Sequence, residues 1–460
     1  MSPGASSFHV VTLGCPKNAV DTEKVTASLL ADGLTAAESA ESADLLVLNT
    51  CAFVEAAREE SISTALALAE VRKPGAKLVV TGCMAERYGD ELASALPEAD
   101  AVVGFNLEGS IGQVVSLGRA PGGVRDLLNL PRPAPTSPWA YLKVAEGCDR
   151  ACAFCAIPTF RGKQRSRTPD SIVEEARCLV GDGAAELVLV AQDLAWYGRD
   201  TGEPGSLAPL LRRLDSLRTD GLERVRLLYL YPSEVRDPLV ATMLELSVVV
   251  PYFDLSLQHA SGRLLRSMRR FGDGERFAAL IDGIRSREPD AAFRSSFIVG
   301  FPGETEDDHI ALVDFLERAE LDWAGFFPFS KEDGTAAASM PGDVPFEVAA
   351  ERLRELSEVQ DRITMARRDA LVGRTVEVLV DEVRKTDGLA VGRTHREAPE
   401  IDGLVSVNGA PGVQRGAIIT ATVTASIGPD LEATLASPSA DVPVDGRPDD
   451  LIAGSALVSG

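Results

Sequence analysis

The stretch LLVLNTCAFVEAAREE, residues 45–60, decides how the first part of the chain folds. An apolar run rich in Leu and Val ends at Asn49 and Thr50, and Cys51 follows as a helical pattern begins. The same passage, again marked by a cysteine, occurs in VVTLGCPKNAVDTEK (10–24) at Cys15 and in KLVVTGCMAERYGDE (77–91) at Cys83. HVVTLG, DLLVLNT and KLVVTG read as strands and AVVGF (101–105) as a fourth, with AVDTEKVTASLLADG and EAAREESISTALALAEV at helical spacing between them. Near-continuous apolar strands alternating with helices predict a parallel sheet covered on both faces. In such a sheet, residues just past the strand ends gather at one edge, where α/β folds bind ligands. Three sequence-distant thiols are therefore expected to converge. Taken singly, each could be a small buried hydrophobe; three in register argue against that.

Working outward, 460 residues are too many for one core, so two to four domains are expected. A hydrophobic content of 45% and a mean hydropathy of +0.03 fit a globular protein with ample core. No apolar run approaches the roughly 20 residues of a membrane span. MSPGASSFHV lacks a basic and then apolar leader, so a cytoplasmic protein with no membrane partner is expected. Seven cysteines in such a chain point to metal or catalysis rather than a disulfide framework. The net charge of −23 favours a basic or neutral partner over nucleic acid.

The linker-like APGGVRDLLNLPRPAPTSP (120–138) holds five prolines and no periodic pattern. It separates an amino-terminal α/β domain (8–118) from a second unit (139–370), with 119–138 as linker. Six strand candidates follow: AYLKVAE, ELVLVAQ, RVRLLYLY, YFDLSLQ, AFRSSFIVG and DWAGFFPF. Helix-length gaps separate them, and TPDSIVEEARCLV offers Thr168 as N-cap before Pro169. Eight such units close a full barrel, so six predict a partial (β/α)6 barrel. From Leu371 the texture changes to short strands, RTVEVLVDEV, GLAVGRT, GLVSVNG, GAIITATVTASI and DLEATLA, with Gly, Asp and Asn turns. These predict a small antiparallel β-barrel over 371–437. The polar tail 438–460 is expected to be flexible.

In EGCDRACAFCAIP (146–158), Cys148, Cys152 and Cys155 are spaced CxxxCxxC directly after the first barrel strand. Three thiolates in eight residues can wrap one corner of a cubane cluster and leave its fourth iron open, as a reactive site requires. A zinc site with a remote fourth ligand, or unmodified thiols, are the alternatives on spacing alone. With Phe154 before the last cysteine, on the loop after the first strand of a partial barrel, the motif resembles that of the radical S-adenosylmethionine enzymes. The resemblance implies a four-iron four-sulfur cluster whose open iron chelates S-adenosylmethionine, which one electron then cleaves to an adenosyl radical. It further implies that Gln192 and Asp193, after the second barrel strand, and Ser296, Gly300 and Glu304, in SSFIVGFPGET (295–305), contact this cofactor.

Together, a three-cysteine α/β domain, a radical barrel and a terminal β-barrel similar to a TRAM domain resemble the radical methylthiotransferase family. The likeness runs from Val10 to about Ala436. It implies that Cys15, Cys51 and Cys83 hold a second four-iron four-sulfur cluster, which delivers sulfur, and that S-adenosylmethionine serves as both methyl donor and radical source. One branch of the family modifies a tRNA adenosine, the other an aspartate of ribosomal protein S twelve. LKVAEGCDRACAFCAIPTFRGKQRSR, PYFDLSLQHAS, FFPFSKEDGT and GRTHREAPEIDG are similar to the second branch, and QHAS (258–261) stands where the tRNA branch has a QSGS-like segment. From Leu371 onward, seven Lys and Arg stand against thirteen Asp and Glu, which suits a basic ribosomal protein better than RNA. Glu397, Glu400 and Asp402 are the candidate docking carboxylates, and His259 a candidate for positioning substrate or moving a proton. A flavodoxin or ferredoxin is the electron donor the resemblance implies. Cys178, inside ARCLV, is expected in the core, and the basic run Arg161 to Arg167 has no role assigned by sequence.

Overall fold

The computed structural model describes residues 6–105, 111, 127–384 and 386–436. Strands β1 (Ser7–Thr12), β2 (Thr35–Ala36), β3 (Leu45–Thr50), β4 (Lys77–Gly82) and β5 (Ala101–Val103) form a parallel sheet in the order β2-β1-β3-β4-β5. The two-residue period of a strand sorts the side chains. Leu45, Val47 and Val79 pack with Val25 and Leu29 of the helix Pro16–Ala31. Leu46, Leu48 and Val80 pack on the other face with Ala65, Leu68 and Met84, from the helices Glu55–Val71 and Cys83–Ala95. β1 starts two residues before its apolar run and ends at Thr12, since Gly14 (φ 94) belongs to the turn into the helix. β2 is too short to leave a pattern in the sequence.

β6 (Trp139–Lys143) leads into β7 (Ala145–Glu146), which pairs antiparallel with β8 (Arg165–Ser166). The remaining strands of this unit are β9 (Glu186–Val190), β10 (Arg224–Leu227), β11 (Tyr252–Gln258), β12 (Ala292–Val299) and β13 (Trp323–Pro328). Parallel triplets β10-β9-β6 and β11-β12-β13 are joined by bridges from Val225 to Val249 and Leu230 to Leu255, which makes the expected six-stranded partial barrel. Leu142, Leu187, Val225, Phe253 and Phe293 face the surrounding helices. Tyr141, Val188, Leu228, Tyr252, Ala292 and Trp323 form a separate core inside the barrel, which also takes in Val20 and Ala398 from the flanking units. Neighbours thus fill the barrel from both ends. Cys178 is not in the core as expected: Ile172, Val173, Ala176, Leu179 and Val180 make the buried stripe of the helix Pro169–Gly181, and Cys178 falls on its exposed face.

β14 (Thr375–Val383), β15 (Ala390–Arg393), β16 (Val405–Asn408), β17 (Ile418–Ile427) and β18 (Asp430–Leu435) close a barrel in the order β14-β15-β16-β18-β17. All its pairs are antiparallel except β16 with β18. The connection from β15 to β16 carries Glu397, Glu400 and Asp402, and the structure corrects the reading of Glu397 and Asp402 as docking carboxylates, since both side chains are buried while Glu400 stays exposed. Glu397 is fully buried; it accepts from the Thr394 N–H and hydroxyl at 2.7 Å each and pairs with Arg368 at 2.5 Å. Asp402 accepts from the Tyr252 hydroxyl at 2.6 Å and from Arg294 at 3.2 Å, both inside the barrel. Glu400 accepts from the Tyr141 hydroxyl at 2.9 Å. The segment plugs the mouth at the strand starts, where Glu186 also binds Arg226 and Arg393 at 2.7 Å each. Carboxylates are needed there because the mouth is lined with arginines, and buried charges must be paired.

Burial alone would raise the pKa of Glu397, but Arg368 and the Thr394 donors outweigh it and hold it at about 2. Its contribution to stability is therefore present above the ordinary carboxylate range and fades as pH falls toward about 2. Glu397→Ala leaves Arg368 buried without its partner, which costs about 3–5 kcal/mol. Urea unfolding followed by Trp323 fluorescence is expected to show this loss, since the indole N–H donates to the Arg396 carbonyl in the same plug at 2.7 Å. An unchanged midpoint would refute the assignment. Of the linker, 127–138 is pinned by Arg132, which pairs with Glu23 and Glu175. The boundary at 118 and the tail 438–460 lie outside the described residues. Among the described residues no helix is long and apolar enough to cross a membrane.

Candidate active site

The CxxxCxxC loop is held by backbone, not by its thiols. The β7–β8 pair clamps its two ends, the Cys148 N–H donates to the Gly162 carbonyl at 3.0 Å, and the Ala153 N–H donates to the Met268 carbonyl at 2.9 Å. Gly147 (φ 79) is obligatory there, since a Cβ would sit 2.1 Å from the Lys163 carbonyl oxygen. Phe154 packs half-buried against the barrel core. Burial, with a smaller contribution from neighbouring cysteines of the loop, pushes the Cys148 thiol up to about 11 and the Cys155 thiol up to about 12. Iron would displace their protons and supply the positive charge. The Arg270 guanidinium donates to the Cys152 sulfur at 3.4 Å, and the Arg150 N–H to the Cys148 sulfur at 3.4 Å.

At the neighbouring strand ends, the Gln192 amide donates to Glu146 at 2.7 Å, and Asp193 accepts from Arg150 at 2.7 Å. The Gln192 Oε1 and Asp193 Oδ1 atoms are buried without a partner. Two free acceptors beside the cysteine loop fit a ligand's ammonium group. Burial raises the pKa of Asp193 even against Arg150. That guanidinium lies between the rings of Trp196 and Tyr231, 3.9 Å from each centroid. Ser296 lies on β12 beside Gly325. Gly300 (φ 81) begins a turn closed by Glu304, which accepts from the Gly300 N–H at 2.6 Å, the Phe301 N–H at 3.2 Å and Arg352 at 3.0 Å. Both oxygens of Glu304 are thus engaged, Oε2 by the N–H groups of the turn and Oε1 by Arg352, not offered to a ligand. His259 is fully enclosed, its Nδ1 accepts from the Ser261 N–H at 3.0 Å, and burial pushes its pKa down to about 4. The enclosed imidazole thus fixes the turn at Ser261, and it has no exposed surface for the substrate contact its place after β11 suggested.

Cys15 caps the helix Pro16–Ala31, Cys51 follows β3, and Cys83 opens the helix Cys83–Ala95. All three lie at the carboxyl ends of the adjacent strands β1, β3 and β4. At Gly14, a Cβ would come within 3.0 Å of the Cys51 sulfur, so the first turn must be glycine for the thiols to approach. Asn18 ties the edge together by donating to the Leu13 and Thr50 carbonyls at 2.9 Å each. Burial raises Cys51 and takes Cys83 up to about 12. Burial also pushes on Cys15, but Lys17 and Arg161 outweigh it and hold that thiol below its ordinary value.

The residue that sequence reasoning left without a role is Arg161. It comes from the barrel and reaches into the cysteine edge of the first domain. Its guanidinium donates to the Cys83 sulfur at 3.1 Å, Asn18 Oδ1 at 2.6 Å, Asp21 at 2.8 Å and Glu146 at 2.9 Å, with the Phe105 ring centroid 4.2 Å away. Lys143 donates to Asp21 at 2.6 Å and also pairs with Glu146. Arg161, Glu146 and Gln192 therefore form a continuous hydrogen-bonded path from Cys83 to the strand end beside the second cysteine loop. Four basic residues in seven marked the segment, but not which of them turns inward.

Among the described residues, no three Cys, His, Asp or Glu side chains converge tightly enough to hold one single ion. Thiolates of a four-iron cluster each take a different iron and stand further apart, so both cysteine sets fit that group on donor chemistry and placement. Residues 7–104 match an uncharacterized protein family, UPF0004; 142–316 match the radical SAM superfamily, and 372–435 a TRAM domain. The chain is 42% identical to the ribosomal protein uS12 methylthiotransferase RimO of Cutibacterium acnes, over 93% of this chain and 97% of the relative. It is 44% identical to that of Saccharopolyspora erythraea, over 94% and 96%. Among solved structures, the radical S-adenosylmethionine methyltransferase TsrM of Kitasatospora setae superposes with a TM-score of 0.53 at 15% identity, covering 70% of this chain and 75% of that one. That likeness is one of fold.

Proposed function

The chain belongs to the RimO family of ribosomal protein uS12 methylthiotransferases, and from that premise we infer that its two cysteine sites work as one catalytic unit on uS12. It is a radical S-adenosylmethionine enzyme that uses 4Fe–4S clusters. When bound, these groups supply the cleavage of S-adenosylmethionine and the sulfur for insertion at the β-carbon of an aspartate. Cys148, Cys152 and Cys155 would hold the first cluster, and Cys15, Cys51 and Cys83 the second. The observation that carries this reading is Arg161, which binds a thiol of one domain and the charge network of the other in one buried interface.

This chain's own residues orient and exclude. Gln192 Oε1 and Asp193 Oδ1 would receive the ammonium of the methionine moiety, with Arg150 holding Asp193 in place. Lys17 sits 3.5 Å from the Tyr229 ring centroid and, with the cores on either side, keeps bulk water from the interface. The electron donor is a flavodoxin or ferredoxin, and the enzyme works in the cytoplasm on uS12 rather than on nucleic acid.

Arg161→Met removes the donor to Cys83 and one cation of the buried network. Methylthio transfer is expected to fall roughly tenfold to a hundredfold, while deoxyadenosine release falls less. The absorbance and reduction potential of the amino-terminal cluster should shift as well. Equal transfer by Arg161→Met and the parent would refute this role. The function itself is tested by anaerobic competition: reconstituted protein, S-adenosylmethionine and reductant meet uS12 and tRNA together, read by mass spectrometry. A methylthio mass increase on an aspartate of uS12 is expected. A mark on tRNA adenosine instead would overturn the substrate.

A further inference from the structure

The segment 261–276 carries five arginines against two carboxylates, in a chain whose net charge is −23. Arg266, Arg269 and Phe271 are exposed at its centre, Phe271 by 44%. Arg266 and Arg269 form no ion pair with the described residues, whereas Arg263 pairs with Asp308 and Arg276 with Asp273. Two uncompensated cations around an exposed aromatic ring have the composition of an interface centre. The place of this patch decides what it meets. Arg270, between Arg269 and Phe271, donates to the Cys152 sulfur at 3.4 Å, and the Met268 carbonyl accepts from the Ala153 N–H at 2.9 Å. Arg269 adopts φ 56, uncommon for a residue with a side chain; the tight turn sends residues 268 and 270 inward to the cysteine loop and leaves residue 269 outside. Cys152 is itself partly exposed beside this turn, so a thiol of the radical site lies close to the surface here.

We propose that Arg266, Arg269 and Phe271 form the docking surface for an acidic one-electron carrier protein, which delivers its electron through the Arg270 side of the CxxxCxxC loop. The assignment rests on the radical reading of Cys148, Cys152 and Cys155. One electron leaves the reduced carrier, the C–S bond of S-adenosylmethionine breaks to methionine and the deoxyadenosyl radical, and the carrier departs oxidised by one electron. Charge complementarity selects the carrier: a basic substrate protein is repelled here, and an acidic partner is steered in.

The test compares two electron sources in the reconstituted full chain, reading deoxyadenosine. With flavodoxin and its reductase at low salt, Arg266→Glu/Arg269→Glu is expected to lower the rate about tenfold or more, the scale of electrostatic steering. With dithionite the rate should not change. Added salt should slow the parent with flavodoxin and leave the variant flat. An unchanged flavodoxin-driven rate overturns the proposal, as does a parent that takes electrons from dithionite but from neither flavodoxin nor ferredoxin. If the double variant also fails with dithionite, Arg266→Gln/Arg269→Gln decides: a loss confined to the carriers supports docking, and no loss refutes it. A variant that keeps its flavodoxin-driven rate but loses affinity for small-subunit RNA would assign the patch to phosphates and overturn the carrier. A parent inactive even with dithionite is a failure of the radical reading, distinct from all of these.

Discussion

A chain with Cys148, Cys152 and Cys155 all replaced by alanine is expected to release deoxyadenosine at background level only, with dithionite or with a protein donor. The loss is chemical rather than structural. The loop keeps the Ala153 to Met268 and Cys148 to Gly162 backbone bonds and the β7–β8 clamp, none of which uses a sulfur. Burial holds Cys148 and Cys155 at about 11 and 12, so the free thiols are neutral near pH 7 and their removal unbalances no charge. The far-ultraviolet spectrum should therefore match the parent while iron content falls from two clusters to one. Normal deoxyadenosine release from this variant would sink the assignment of the radical site.

The complementary variant, Cys15, Cys51 and Cys83 to alanine, should separate the two halves of the reaction. Cleavage of S-adenosylmethionine by the barrel site continues, and methylthiolated uS12 is not formed. The fold survives because Asn18 still bridges the Leu13 and Thr50 carbonyls, and Arg161 still has Asp21 and Glu146 as counterions. Iron should again fall to one cluster per chain, now the other one. Persistent methylthio transfer would mean that sulfur reaches uS12 by a route independent of these thiols. Loss of deoxyadenosine in this variant would instead mean that the two sites cannot be uncoupled, and that the network through Arg161 carries more than position.

The architecture was legible where local pattern and burial agree. The strand-to-helix cysteines placed themselves, because an apolar run followed by helical spacing has one meaning in a parallel sheet, and the six barrel strands and five terminal strands were read in the same way. Acidic residues were harder. Glu397 and Asp402 look like solvated charges in HREAPEIDG, and nothing within that segment announces Arg368, Arg294 or Tyr252 waiting elsewhere in the chain. Glu186 and Arg393 pair across 207 residues. Arg161 was hidden for the same reason: the run turns Arg161 and Arg167 inward and Lys163 and Arg165 outward, and nothing in its composition separates them. Cys178 could have been placed, since counting from Ile172 and Ala176 to Leu179 puts it off the apolar stripe.

The plug at the barrel mouth also orders events in time. Glu186 and Arg226 leave the ribosome well before Arg393 and Asp402 are synthesised, so the strand-start end of the barrel stays wet until the last domain has folded. Maturation then has a direction, in which the carboxyl-terminal barrel seals a chamber that the earlier residues have already built. For protein engineering the same fact sets a rule of exchange: a terminal barrel borrowed from another chain must bring its own 394–402 and find matching arginines beneath it. The module is a stopper cut for one bottle.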